Sequence, residues 1–121
     1  MKILIADDSK AMRMIVIRTM RQAGLDGHDI IEAENGKEAL ELTQKNAPDL
    51  ILSDWNMPEM TGIEFLKALR ATGSQIPFCF VTSEGSAEMR TAADAAGALG
   101  LIAKPFTPEA FADTLAQVVS A

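Results

Sequence analysis

The sequence predicts a doubly wound α/β fold, with five parallel strands in one sheet and five helices over its two faces. Two observations carry this reading. Short, nearly continuous apolar runs recur along the chain, as strands buried on both faces require. Between consecutive runs lie helical patterns with their own start and stop signals. Strands joined by helical crossovers pair in parallel, with right-handed connections.

The elements come in order along the chain. Lys2 to Ala6 opens it as an apolar run, and Met12, Ile15, Val16, Met20 and Ala23 then recur on one face of a helix that stops at Gly24. His28 to Ala33 is a more polar run and suits a sheet edge. The second helix starts at Asn35-Gly36-Lys37-Glu38, which has the form of a capping box, and stops before Pro48. Asp49 to Ser53 is the third strand. Thr61-Gly62-Ile63-Glu64 repeats the capping device, and the helix it opens carries Phe65, Leu66 and Leu69 and ends near Gly73. Phe78 to Val81 is the fourth strand, and an alanine-rich helix begins after Ser86. Leu99 to Ala103 is the fifth. Thr107 as cap and Pro108 at the first helical position open a last helix that buries Phe111, Leu115 and Val118.

Composition narrows the function. With 121 residues, 48% of them hydrophobic, the chain can bury one substantial core, and we expect a single domain with no output domain. Seventeen acidic against eleven basic side chains give a formal charge of −6. That charge repels phosphate backbones and anionic lipid, so neither nucleic acid nor membrane is an expected partner. Cys79, the single cysteine, lies in the apolar run FCFV and reads as a buried core residue. Met1 and Lys2 lead into a run too short for a signal peptide, and no segment approaches the roughly 18 apolar residues of a membrane span. A soluble cytoplasmic protein is expected. His28, opening an edge strand, reads as a surface residue rather than a metal ligand, and Met12 and Met20 as core filling.

The chemistry collects where the strands end. In a parallel sheet all strands finish at one edge, so residues just past them become neighbours. Those positions hold Asp7 and Asp8 after the first strand, Asp54 after the third, Thr82 and Ser83 after the fourth, and Lys104-Pro105 after the fifth. The edge strand adds only Glu34 and Asn35. Two unit charges about 4 Å apart repel by roughly 4 kcal/mol at an effective dielectric of about 20, so three clustered carboxylates need compensation. Lys104 supplies one positive charge, and a hard, oxygen-rich site with vacant positions suits Mg²⁺ for the rest. The stretch SDWNMPEM, Ser53 to Met60, serves the same end. Pro58 disfavours a helical Met57, and with Gly62 it turns the chain away and leaves Asp54 open. Trp55 reads either as a binding aromatic or as a half-exposed ring beside the site.

The set Asp7-Asp8, Asp54, Thr82 and Lys104-Pro105, with SDWNMPEMTGIEFLKALR and the ending KPFTPEAF, resembles response-regulator receiver domains over the whole chain, most of all the stand-alone chemotaxis type. The resemblance implies the flavodoxin-like strand order 2-1-3-4-5 and makes Asp54 the phosphoacceptor for a phosphohistidine on a sensor histidine kinase. It further implies Mg²⁺ held by Asp8, Asp54 and the backbone carbonyl of Asn56, with Asp7 acting through a water. Lys104 and Thr82 would contact phosphoryl oxygens. Glu84 and Asn56 would modulate access of the hydrolytic water, and Lys104-Pro105 would be a cis peptide. The implied partners are the kinase, a downstream protein target bound in the phosphorylated state, and a phosphatase. Catalysis would be confined to the chain's own phosphorylation and dephosphorylation, in chemotaxis or motility control.

One departure stands out. Family members commonly carry Tyr or Phe three residues before the lysine, where this chain has Leu101 and no tyrosine anywhere. The expected output coupling then shifts to the backbone around Ser83 to Ser86, with Ser83 small enough to admit a phosphoryl group. Alternatives from other classes are a Mg²⁺-dependent aspartyl phosphatase, a flavin carrier and a receiver excised from a longer regulator. The first lacks an Asp-x-Asp after the first strand, and the second lacks a phosphate-cradling loop.

Overall fold

In a computed structural model that describes residues 1–119 apart from 26, 84 and 105, the elements alternate strictly. They are β1 (Lys2–Ala6), α1 (Lys10–Gln22), β2 (Asp29–Ala33), α2 (Gly36–Asn46), β3 (Leu50–Ser53), α3 (Gly62–Ala71), β4 (Phe78–Thr82), α4 (Ala87–Ala95), β5 (Gly100–Ala103) and α5 (Pro108–Val119). The strands form one parallel sheet in the order β2-β1-β3-β4-β5, the order the resemblance implied. Strand limits differ from the expected ones by one residue at several ends.

Side-chain alternation along the strands divides the interior into two cores. Leu4, Ile51, Phe78, Phe80 and Leu101 face one side, where Ala39 of α2, Phe65, Leu66 and Leu69 of α3 and Ala93 of α4 pack on them. Ile3, Ile5, Leu50, Leu52, Cys79, Val81 and Ile102 face the other, against Val16 and Met20 of α1 and Phe111 and Leu115 of α5. Every strand that sits between two others is therefore apolar on both faces, which is why these runs show no polar alternation. The first side also holds an aromatic row: Phe65 meets Phe78 at 5.2 Å, Phe78 meets Phe80 at 5.0 Å and Phe80 meets Trp55 at 4.7 Å between ring centroids.

The caps explain where the helices begin. Thr61 and Glu64 form a complete capping box on α3. On α2 the device is only half reciprocal: Asn35 Oδ1 accepts from the Glu38 amide at 2.7 Å, whereas Glu38 Oε1 accepts from the Glu34 amide rather than from Asn35. Ser9 caps α1 by accepting from the Met12 amide.

One expected core residue lies at the rim of the buried stripe. Ile15 is 41% exposed, because the buried stripe of α1 runs through Arg13, Val16, Thr19 and Met20. At 100° per residue Ile15 lies roughly a third of a turn from the centre of that stripe. Phe111 and Leu115 are buried as expected, and the Val118 side chain lies outside the described residues. His28 is half-buried, and its Nδ1 lies 3.1 Å from the N-terminal amine. Cys79 is fully buried, and desolvation pushes its thiol up to about 12.

Gly62 is where α3 comes closest to the sheet. A Cβ there would collide with the Asp54 carbonyl oxygen and sit 3.0 Å from Phe80 Cε1. Helix propensity alone favours Ala over Gly by about 1 kcal/mol. The collision outweighs it, so Gly62→Ala should lower stability by about 1–3 kcal/mol, read as a lower urea midpoint at unchanged slope; a raised midpoint would contradict this packing. A thiol reagent should leave native Cys79 unmodified at pH 8 and label it only as the protein unfolds.

Candidate functional site

The strand order reverses at β1: the chain first goes to one side to make β2, then to the other to make β3. Such a switch point opens a crevice at the carboxyl ends of the strands. Here β1 and β3 pair with Ala6 opposite Ser53, so the next residues in each strand's path, Asp7 and Asp54, emerge side by side. The ladder continues one step past the strands. The Asp54 amide donates to the Ala6 carbonyl at 2.8 Å, and the Asp7 amide donates to that of Ala33 at 3.1 Å.

Asp7, Asp8 and Asp54 converge, each offering one carboxylate oxygen within 4.8 Å of the others. Their exposure differs: Asp7 is buried, Asp54 partly buried and Asp8 exposed. Asp54 Oδ1 accepts from the Trp55 amide at 2.8 Å, and Oδ2 accepts no hydrogen bond among the described residues. Asp7 Oδ1 accepts from the Ser9 amide at 2.9 Å, while its Oδ2 lies 3.5 Å from Lys104 Nζ. That last contact is a long one, so Lys104 sits over the cluster without being locked into it. Burial raises the pKa of Asp54 above its ordinary value; Lys104 and the Trp55 amide oppose the rise, and Asp7 and Asp8 add to it.

The remaining expected residues surround this cluster unevenly. Thr82 is fully buried at the end of β4, and its carbonyl accepts from the Lys104 amide at 2.7 Å, which fixes the base of the lysine beside the threonine. Ser83 and Asn56 are exposed. Trp55 is partly buried against Phe80, so the ring belongs to the core edge while its backbone serves Asp54. Leu101 is buried in β5. Glu84 and Pro105 lie outside the described residues, so the expectations for them, including a cis peptide at 105, have no structural counterpart.

The turn after Asp54 does what SDWNMPEM suggested. Met57 is buried, Glu59 takes a positive φ of 68°, and the Gly62 amide donates back to the Trp55 carbonyl at 2.8 Å. The chain thus folds away under the carboxylate and leaves it accessible. Sequence reasoning missed two residues that hold the site. Ser9 caps α1 and donates its amide to Asp7 Oδ1, and neither role was read from the sequence. Arg13 carried a signal, because it shares the helical spacing of Val16 and Met20 and so puts a charge on an apolar stripe.

The donor set fits a hard divalent cation. Its converging groups are all carboxylate oxygens, they are anionic in excess, and an exposed side remains where water or a phosphoryl oxygen could complete the shell. Among the described residues no helix is long and apolar enough to cross a membrane.

Comparisons agree with this geometry. The family model described as response regulator receiver domain matches residues 3–116. The chemotaxis protein CheY homolog of Campylobacter jejuni is 43% identical, over 98% of this chain and 92% of that protein. Chemotaxis protein CheY1 of Helicobacter pylori is 42% identical, over 98% and 97%. The structure of chemotaxis response regulator CheY4 of Vibrio cholerae superposes with a TM-score of 0.83 at 41% identity, covering 98% of each chain.

The raised pKa of Asp54 has a sign that can be tested without metal. A carboxyl harder to ionise in the fold than in the unfolded chain costs stability as pH rises through the ordinary carboxylate value, and the cost is complete above the folded value. Asp54→Asn keeps the Oδ1 acceptor and removes the charge. At pH 7 in chelator it should melt higher than wild type by roughly 3–6 °C, taking on the order of 1 kcal/mol for the burial of a partly solvent-screened charge. The difference should vanish below about pH 3, where the carboxyl is protonated in both states. A lower melting point for the variant at pH 7 would mean that Asp54 is stabilised, not strained, by its neighbours.

Proposed function

The chain belongs to the response regulator receiver domain family, and from that premise we propose that it is a phosphoacceptor whose single reactive group is the Asp54 carboxylate. The observation that carries the reading is the convergence of Asp7, Asp8 and Asp54 at the switch point, with Lys104 above them.

Trp55 holds Oδ1 through its amide, which orients the carboxylate and leaves Oδ2 as the nucleophile. Oδ2 attacks the phosphorus of a phosphohistidine on a sensor histidine kinase. The P–N bond breaks as the P–O bond forms, and the imidazole leaves with the electron pair. Asp8, Asp54 and the Asn56 carbonyl would hold Mg²⁺, with Asp7 assisting, and the ion would neutralise the phosphoryl oxygens. Lys104 exchanges its long contact with Asp7 for a phosphoryl oxygen, and the Thr82 hydroxyl donates to another. These groups need only align donor and acceptor and offset developing charge, which is most of what phosphoryl transfer requires.

The product carries about −1.5 to −2 charge at the sheet edge, and this charge draws on Thr82 and on the segment between β4 and α4. Of the residues of α4 only Ala93 is buried, so this helix is weakly anchored and easily displaced. A local charge is thereby converted into a changed surface for a downstream protein. Water attack at phosphorus later cleaves the acyl P–O bond, releases inorganic phosphate and restores Asp54. Asn56 and Glu84 modulate that step, and a phosphatase partner accelerates it. The chain turns over no other substrate. The names of its relatives favour chemotaxis or motility control.

Trp55, bonded through its own backbone to the reactive carboxylate, is a built-in reporter. Beryllofluoride with Mg²⁺ should change its fluorescence, saturating at one equivalent per chain, and Asp54→Asn should remove the response entirely. A response of the same size in that variant would place the reactive group elsewhere.

A further inference from the structure

Arg13 is a buried cation that phosphoryl transfer, as derived above, does not use. It is 6% exposed and stands on the core-facing stripe of α1, where an aliphatic side chain would fill the same space. Its guanidinium is engaged on two sides. Nε donates to Glu32 Oε1 at 2.8 Å, and Nη1 donates to the backbone carbonyl oxygen of Asp7 at 2.7 Å. α1 reads KAMRMIVIRTMRQ and has no acid of its own, so the counter-ion comes from the neighbouring edge strand, β2.

The second bond matters because Asp8 is the next residue along the chain. The connection from β1 to α1 is only Asp7, Asp8 and Ser9, and the peptide joining Asp7 to Asp8 is planar. Holding its carbonyl therefore sets the direction in which Asp8 leaves the strand. The same few residues are tied down on either side: the Asp7 amide by Ala33, the Ser9 amide by Asp7 Oδ1, and the Ser9 carbonyl by the Arg13 amide at 3.0 Å. Asp8 itself is exposed and projects from this frame. A rigid guanidinium can hold a carbonyl and a carboxylate in one fixed relation, which a flexible ammonium cannot.

We propose that Arg13 is a positioning residue for the acidic site, fixing the Asp7–Asp8 peptide so that the Asp8 carboxylate is aimed at Asp7 and Asp54 before any cation arrives. Glu32 holds the guanidinium in place. The inference rests on the reading of these carboxylates as a Mg²⁺ site, and its test separates the two.

Mg²⁺ is titrated into wild type, Arg13→Met, Arg13→Lys and Glu32→Gln, monitored by Trp55 fluorescence and calorimetry well below each melting point. Residues that orient metal ligands typically cost about 10–100-fold in metal affinity when replaced. Arg13→Met should weaken Mg²⁺ binding by about tenfold or more, Arg13→Lys by about threefold, since one donor still reaches the carbonyl, and Glu32→Gln by less than about threefold, since its amide oxygen still accepts from Nε. Amide exchange in the metal-free protein gives the second readout. The Ser9 amide should exchange about tenfold faster in Arg13→Met while α5 keeps its protection. Arg13 variants that bind Mg²⁺ within about twofold of wild type overturn the proposal, whatever their stability; if Arg13→Met does not fold, Arg13→Lys decides. A wild-type protein with no Mg²⁺ response overturns the metal reading instead, and metal-free exchange at Ser9 then decides the positioning role alone, unchanged exchange overturning it.

Discussion

Everything at the functional edge depends on one register: Ala6 of β1 lies opposite Ser53 of β3 at the point where the strand order reverses. Parallel pairing at that register delivers two chain ends with carboxylates to the same place, and the switch point keeps helices from covering it. The cost is electrostatic. Burial makes Asp54 hard to ionise, and Asp7 and Asp8, crowded with it within 4.8 Å, add to the difficulty. A fold that only had to be stable would not gather them. The arrangement makes sense for a site that waits for positive charge and then for a phosphoryl group.

The surroundings hold the geometry without neutralising it. Backbone donors take one oxygen of Asp54 and one of Asp7, Arg13 holds the Asp7 carbonyl, and Lys104 stands at a distance of 3.5 Å from Asp7. Fixed amides orient the acids, so little reorganisation is left for the moment of reaction. On the far side the turn from Trp55 to Gly62 folds under Asp54, and Gly62 permits this because α3 starts in direct contact with the Asp54 backbone. The rigid parts thus lie at β1, β3 and α3, and the weakly anchored part at α4.

Much of this was legible in the sequence. Apolar runs such as ILIA and FCFV had to be strands buried on both faces, and capping residues such as Thr61 with Glu64 marked helix starts within a residue. The gathering of Asp7, Asp8 and Asp54 came from topology alone. What escaped was set by tertiary contact. Ile15 fits the helical period but falls at the rim of the stripe, since the packing surface is decided by the sheet beneath α1. Glu38 completes half a capping box because its carboxylate reaches Glu34 instead of Asn35. Arg13 was visible as a charge among apolar residues, but its partners, Glu32 and the Asp7 carbonyl, are 19 and 6 residues away and appear only once β2 lies beside β1.

The proposed chemistry requires that Asp54, and no other side chain, take the phosphoryl group. The direct measurement is to phosphorylate the protein with a small-molecule acyl phosphate, trap the product by borohydride reduction and locate the altered residue by peptide mass spectrometry. Homoserine at position 54 alone is the expected product, formed only when Mg²⁺ is present. Modification at Asp7, Asp8 or a hydroxyl, or equal labelling in chelator, would contradict it.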